Sequence, residues 1–281
     1  MLKKILKSLV GSRKKSKTLS LKSHGPHDDA TYVERHAYCA AQDVALDGWH
    51  NLETGYLVPD FFVSENDSVL DVGCGGAGHS HFCLLRGASV TFTDIDAAVV
   101  ESVQRNFLHL GLNKAKGIVS NSCPIPVEDE SVTKIIATEV LEHVEDVEEF
   151  MQELYRVGKP GAQYFITVPH AVSENMQVGI AAPAYFEKPN HIRIIERDEL
   201  ERLVTNAGLV IESYKSYGAY WTIWWLFFWN AGVDLSNPEH PMLDAWTKAW
   251  SELLKTPNAL RIKSVLDRQL PKSQVIIARK K

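Results

Sequence analysis

No stretch of 18 or more apolar residues occurs in this chain, so no membrane-spanning helix is predicted. Disulfide and zinc chemistry find no support either. The four cysteines, Cys39, Cys74, Cys83 and Cys123, show neither C-x-x-C nor metal-ligand spacing, and read as reduced thiols of a cytosol-like compartment. Internal repeats are absent. The body of the protein also lacks basic charge: residues 1–22 carry eight Lys/Arg and no acid, leaving 22 basic against 35 acidic groups in the remaining 259 residues. An acidic body argues against nucleic acid as the main partner. What is present suffices for one sizeable α/β domain with additions, at 281 residues of which 45% are hydrophobic.

The chain is organised around Ser68-Val69-Leu70-Asp71-Val72-Gly73-Cys74-Gly75-Gly76-Ala77-Gly78-His79-Ser80. An apolar β-type run enters a glycine cluster, and a helical pattern with Phe82, Leu84 and Leu85 leaves it. Strand, glycine turn and helix make the layout of a nucleotide-binding crossover. Glycines accept positive φ and let a ligand approach the backbone. The helix N-terminus then offers unpaired N–H groups and partial positive charge. Gly73, Gly75 and Gly78 fit G-x-G-x-x-G, the dinucleotide fingerprint. Asp71 points elsewhere: a carboxylate two residues before the first glycine opposes a pyrophosphate and suits a cationic ligand. A second strand, Ser89–Thr93, ends at Asp94, 21 positions after Gly73. A carboxylate there can accept from both ribose hydroxyls in either cofactor class. Asp96 is the better N-cap for a helix over Ala97–Leu110.

Asp71-x-Gly73-x-Gly75 resembles motif I of the class I S-adenosylmethionine-dependent methyltransferases, with Ala77 where that family often has glycine. The stretch from Pro124 to Val144 is similar to the same family: an acidic turn, a fourth strand, then Glu139-Val-Leu-Glu142-His143-Val144. A helix over Asp146–Val157, a stop at Gly158-Lys159-Pro160-Gly161 and a fifth strand over Gln163–Val168 complete the likeness. Nicotinamide dehydrogenases are not expected to show this order. The resemblance implies an α/β fold: a Rossmann-like seven-stranded, mostly parallel sheet, its last strand antiparallel, with helices on both faces. It implies S-adenosyl-L-methionine as cofactor, on Asp71, Gly73, Gly75, Gly76, Asp94, Ile95, Asn121, Ser122 and Glu139. Asn121 follows a third strand, Lys116–Ser120, where the family commonly sets an Asp against the adenine amino group. Its amide oxygen can accept the same bond; a plain polar turn is the other reading.

A helix over Thr31–Leu46, with Tyr32, Ala37, Tyr38, Ala41 and Ala45 as apolar positions, is implied to cover the cofactor cleft. Residues 170–197 read as irregular and hold Tyr185, Phe186, His191 and Arg193. A loop of that length is normally functional, and the resemblance makes it part of the acceptor pocket. A helix from Arg197 to Asn206 and a sixth strand, Leu209–Lys215, come next. Then residues 216–270 intervene before the closing strand, Pro271–Arg279, as a Trp-rich helical insertion. Its opening run, Tyr217 to Trp229, is apolar nearly all round and too short to span a bilayer. A helix buried against the domain or in a dimer, a membrane-surface element and a pocket for an apolar acceptor all stay open. Trp246 and Trp250, four apart on a helix over Pro241–Leu254, form a face that can pack on it.

Methyl transfer from a sulfonium is an in-line displacement that needs alignment and desolvation. A base is required only where the acceptor loses a proton. His143, His170 and His191 lie near the expected carboxyl edge of the sheet. His143 is the expected catalytic residue, because in the family the loop after the fourth strand faces the methyl group. In some relatives E-x-x-E-H, here Glu139, Glu142 and His143, holds a divalent metal; many carry the letters without one, and no metal is assigned. The expected activity is O-methylation of a small-molecule, glycan or lipid-linked hydroxyl. A non-catalytic methyltransferase-fold scaffold and an NAD(P)-dependent oxidoreductase are the rivals. Residues 1–30 read as a basic tail and linker ahead of one domain over 31–281. Met1–Val10 has the pattern of a basic amphipathic helix, open to a membrane surface, a targeting role or a disordered tail. A cytoplasmic protein follows, with peripheral membrane contact and a homodimer both open.

Overall fold

A computed structural model of the chain describes residues 32–235 and 238–281. The tail and linker of residues 1–30 lie outside them. Helix α1 (Tyr32–Leu46) leads to a short hairpin, β1 (Tyr56–Val58) and β2 (Phe61–Phe62). The central sheet follows as β3 (Ser68–Val72), β4 (Ser89–Asp94), β5 (Ala115–Val119), β6 (Val132–Thr138), β7 (Gly158–Pro169), β8 (Leu209–Tyr217) and β9 (Ser273–Lys280). Their spatial order is β5-β4-β3-β6-β7-β9-β8, with β9 antiparallel to both neighbours and the other pairs parallel. This is the mostly parallel, Rossmann-like sheet that the sequence leads one to expect.

Both faces are covered. Ile135 and Ile136 are adjacent on β6 and fully buried, one in each core. Such two-sided burial is why central parallel strands read as unbroken apolar runs. One core packs the sheet on α4 (Val147–Val157) and α6 (Arg197–Asn206) through Phe150, Leu154, Leu200 and Leu203. The other packs it on α2 (Gly78–Leu85), α3 (Ala97–His109) and the hairpin through Phe82, Val103, Phe107 and Phe61. Leu85, placed on the apolar side of α2 by pattern, is exposed.

Three local expectations change. The Lys-Pro-Gly stop after α4 is not a loop: β7 begins directly at Gly158, a strand of 12 residues with a register shift opposite Val132–Lys134. Residues 170–197 are not wholly irregular. They hold α5 (Ala171–Gln177) and a 3₁₀ turn over Pro183–Phe186. Among the described residues the insertion has three helices, α7 (Ala219–Ala231), α8 (Pro241–Leu254) and α9 (Ala259–Gln269), of which the last was not expected.

That helix buries charge, while its Leu260, Ile262 and Val265 are exposed. Lys263 is 0% exposed, and its Nζ lies 2.5 Å from Asp47 Oδ2, 2.5 Å from Asp267 Oδ2 and 3.5 Å from Asp43 Oδ2. Asp267 also accepts from the backbone N–H of Ala219, so one ammonium ties α1, α7 and α9 together. The same substitution of polar for apolar burial marks α1. Its inward face is His36, Ala37, Cys39 and Asp43, while Ala41 and Ala45 are exposed.

The Trp-rich helix α7 is buried, with Tyr220, Trp221, Trp224, Trp225 and Phe228 in a third core shared with α1 and α8. Large aromatic side chains bring large apolar area but also an N–H or O–H that needs a partner. Trp224 donates to His36 Nδ1, Trp246 to the Tyr220 carbonyl, Trp250 to Asp43 and Trp229 to Gln177. His36 Nδ1 therefore accepts, and its imidazole is neutral.

Two measurements test this packing. Lys263→Met leaves three carboxylates without their cation and is expected to destabilise the fold by about 3–5 kcal/mol in urea unfolding. Adding Asp267→Asn should recover part of that loss. Burial holds the His36 imidazole down to about 4 from 6.5, the Asp244 charge opposing and Arg35 adding. A base depressed on folding contributes stability in full above pH 6.5 and loses it as pH falls toward 4. That contribution is about 3 kcal/mol, so His36→Gln should lose less thermal stability than wild type over this window.

Candidate active site

Parallel pairing of β3 and β4, Val72 beside Thr93, brings Asp71 and Asp94 to one edge of the sheet. Both are buried, at 2% and 4% exposure. Asp71 accepts from Ser80 Oγ at 2.6 Å, which fastens the strand end to the first turn of α2. Asp94 Oδ2 accepts from the Gly75 N–H at 3.0 Å and Oδ1 from the Asp96 N–H at 3.1 Å. The second carboxylate thus holds the glycine loop itself, a role its spacing did not suggest. Asp96 caps α3 through Ala98 N, as expected.

The loop needs its glycines. Gly73 has φ 66, and a Cβ there would meet Val140 Cγ2 at 2.7 Å. Gly75 has φ 54, and Ala77 takes the left-handed conformation at φ 55, as the residue before α2. Gly76 follows Gly75 in the same turn. Ile95 is 74% exposed beside Asp94, an apolar face that an adenine ring would cover. On the neighbouring strand end, Asn121 Oδ1 accepts from the Cys123 N–H at 3.3 Å. The polar turn is therefore formed, with Ser122 buried inside it at φ 68.

A second group of polar side chains starts at Glu139. It takes φ 54 at the end of β6, a strained conformation for a residue other than glycine. Its N–H donates to the Thr167 carbonyl, its Oε1 accepts from Thr167 Oγ1, and Lys272 Nζ lies 3.4 Å from Oε2. Opposing its burial, the charges of Glu139, Glu174 and Glu142 hold the Lys272 amine above the ordinary lysine value.

A 3₁₀ turn over Leu141–His143 then directs Glu142 inward, to 1% exposure. Among the described residues, neither carboxylate oxygen has a hydrogen-bond partner. Burial first, and the Glu139 charge second, push its pKa well above the usual carboxylate range. His143 Nε2 stands 3.6 Å from Glu142 Oε1, while His143 Nδ1–H donates to the Pro189 and Asn190 carbonyls. His191 joins from the 170–197 segment, its ring 5.1 Å from that of His143 and its Nδ1 2.7 Å from Glu174 Oε2. Ligand atoms of Glu142, His143 and His191 all lie within 4.8 Å of one another. One carboxylate and two imidazoles are a donor set for a divalent transition-type cation. A buried carboxylate without a partner fits a bound cation better than solvent-free isolation.

Of the three histidine candidates, His170 is used structurally: its Nδ1 accepts from Val172 N–H and caps α5. His143 and His191 come together. Of E-x-x-E-H, Glu142 and His143 face the cluster, whereas Glu139 is engaged by Thr167 and Lys272. Glu174 and Lys272 carried no signal in the sequence, because each reads as an ordinary surface residue. A cavity of about 940 Å³ opens between β8, β9 and α9, walled in part by Trp49, Val58, Tyr217, Val275 and Ile277, and none of Glu142, His143 and His191 lines it. Trp49 and Tyr217 pack at 4.6 Å between ring centres.

Comparison with known proteins agrees with this fold. Residues 70–166 match the family model described as "Methyltransferase domain". The mitochondrial ubiquinone biosynthesis O-methyltransferase of Mus musculus is 28% identical over 189 residues, 61% of this chain and 49% of its own. A Pseudomonas putida ubiquinone biosynthesis O-methyltransferase is 31% identical over 150 residues, covering 51% of this chain and 65% of its own. The chain spans about half the length of the first curated relatives it matches. Among solved structures, the geranyl diphosphate C-methyltransferase of Streptomyces coelicolor superposes with a TM-score of 0.56 at 17% identity, over 90% of this chain and 86% of that one. The [4+2]-cyclase SpnF does so with 0.56 at 16%, over 99% and 92%. At such identities they show the fold, and the cyclase makes plain that the fold alone does not set the reaction.

Gly73→Ala should abolish measurable binding of S-adenosylhomocysteine by calorimetry, because the methyl group collides with Val140 and φ is positive. Gly73→Ala with Val140→Ala removes the collision and keeps the backbone strain, so it should bind measurably but more weakly than wild type.

Proposed function

We propose that this chain, which belongs to the class I S-adenosylmethionine-dependent methyltransferases, methylates an acceptor hydroxyl with the help of a divalent cation held by Glu142, His143 and His191. The observation that carries the reading is Glu142: a fully buried carboxylate, without a hydrogen-bond partner, facing two imidazoles. The O-methyltransferase names of the curated relatives favour oxygen as the acceptor atom.

In this reading Asp71 and the glycine loop face the methionine half of the cofactor, and Asp94 with Ile95 the ribose and adenine. When bound, the cofactor would supply an activated methyl group, its thioether being the leaving group. A cation on the Glu142–His143–His191 set would act as a Lewis acid that favours loss of the acceptor proton. Lys272, kept charged by the carboxylates around it, holds Glu139 toward the same space.

The second reading makes His143 a general base with no metal. Its Nδ1–H is held by two carbonyls, so the lone pair is on Nε2, where a base needs it. The two readings give opposite results in one assay, methyl transfer from labelled cofactor to phenolic and catecholic acceptors. Dialysis against chelator should stop turnover, and added Mg²⁺ or Mn²⁺ should restore it. Glu142→Gln should lower kcat/KM by about 100-fold or more without changing affinity for S-adenosylhomocysteine. Full activity after chelation, with a dead His143→Ala variant, would transfer the role to the base.

A further inference from the structure

We propose that Glu174 is a positioning residue that sets the tautomer of His191, and that the Trp-rich insertion holds Glu174 in place through Gln177. The inference rests on reading His191 as a ligand. It gives the insertion a task in that site.

Every step in the connection has a forced direction. An indole N–H can only donate. Trp229 Nε1 donates to Gln177 Oε1 at 2.8 Å, so the Gln177 amide must turn its Nε2 the other way. There Nε2 donates to the Ser173 carbonyl at 3.2 Å and to Glu174 Oε1 at 3.2 Å. The same Oε1 accepts from the Tyr185 hydroxyl at 3.0 Å. Glu174 Oε2 is left for His191 Nδ1, at 2.7 Å. A carboxylate oxygen accepts, so Nδ1 carries the proton and the His191 lone pair is on Nε2. Glu174 and Gln177 are 1% and 0% exposed, so no water competes for these bonds. A histidine whose second nitrogen is fixed in this way is pre-set to bind a cation.

Glu174→Gln tests the direction and nearly preserves the shape. The amide oxygen will occupy the Oε1 position, where two donors meet it. The amide NH₂ then faces His191 Nδ1, which must accept, and the proton moves to Nε2. In metal-free protein labelled with ¹⁵N-histidine, NMR should show His191 as the Nδ1–H tautomer in wild type and the Nε2–H tautomer in the variant. Titration with Co²⁺ should show affinity lowered about 10–100-fold, with S-adenosylhomocysteine affinity unchanged. Trp229→Phe frees the Gln177 amide to turn and should give a smaller loss in the same direction; it decides the matter if Glu174→Gln does not fold. An unaltered His191 tautomer, or unaltered Co²⁺ affinity in both variants, overturns the inference. Wild-type protein that binds no Co²⁺ instead overturns the metal reading, and the tautomer measurement still judges the role of Glu174.

Discussion

Parallel registration is the constraint on which the rest of the structure depends. β3, β4 and β6 run in step, with Val72 beside both Thr93 and Ala137. The chain therefore leaves every one of these strands at the same edge. Asp71, Asp94 and Glu139 are separated by up to 68 positions in sequence, yet they converge there without any contact designed to gather them. The Gly75–Asp94 hydrogen bond adds a cross-strand tie to this arrangement. It makes the shape of the loop after β3 depend on the carboxylate that ends β4. Ligand site and loop shape are set by one side chain.

The helical cap follows different rules. Where the sheet is held by aliphatic side chains on two faces, the cap is held by indoles and by charge. Each tryptophan combines a large apolar body with one directional donor, and four of those donors end on named partners in α1, α5, α7 or the cap itself. Lys263 adds a centre that three aspartates share. Breaking such a centre costs far more than a surface pair, since the ions left behind stay buried. The cap is thereby specified by donors and acceptors that fit in one arrangement, and Trp229 extends that specification to Gln177 at the acceptor side.

The sheet was legible because its physics is local. Runs such as Val69-Leu70 and Ile135 to Ala137 are apolar without alternation, and glycines mark the turn that follows the first strand. The cofactor side was legible for the same reason, being two strand ends and one loop. The acceptor side was legible only in its local part, Glu142 and His143. The partners that give these meaning come from far away: His191 is 48 positions beyond His143, and Lys272 is 133 beyond Glu139. The inner faces of α9 and α1 could not be read from hydrophobic periodicity, because Lys263, Asp267, His36 and Asp43 occupy the buried positions. A pattern search treats such residues as solvent-facing, and only the assembled fold shows that they satisfy one another.

Glu139 sits in a backbone conformation that suits glycine, at a cost on the order of 1–2 kcal/mol for a residue with a side chain. In return it keeps a carboxylate against Lys272 and Thr167. The backbone at this position is therefore not at its most stable composition. Any redesign that optimises folding alone will be drawn to glycine at this position, and will trade the carboxylate that meets Lys272 and Thr167 for thermal robustness.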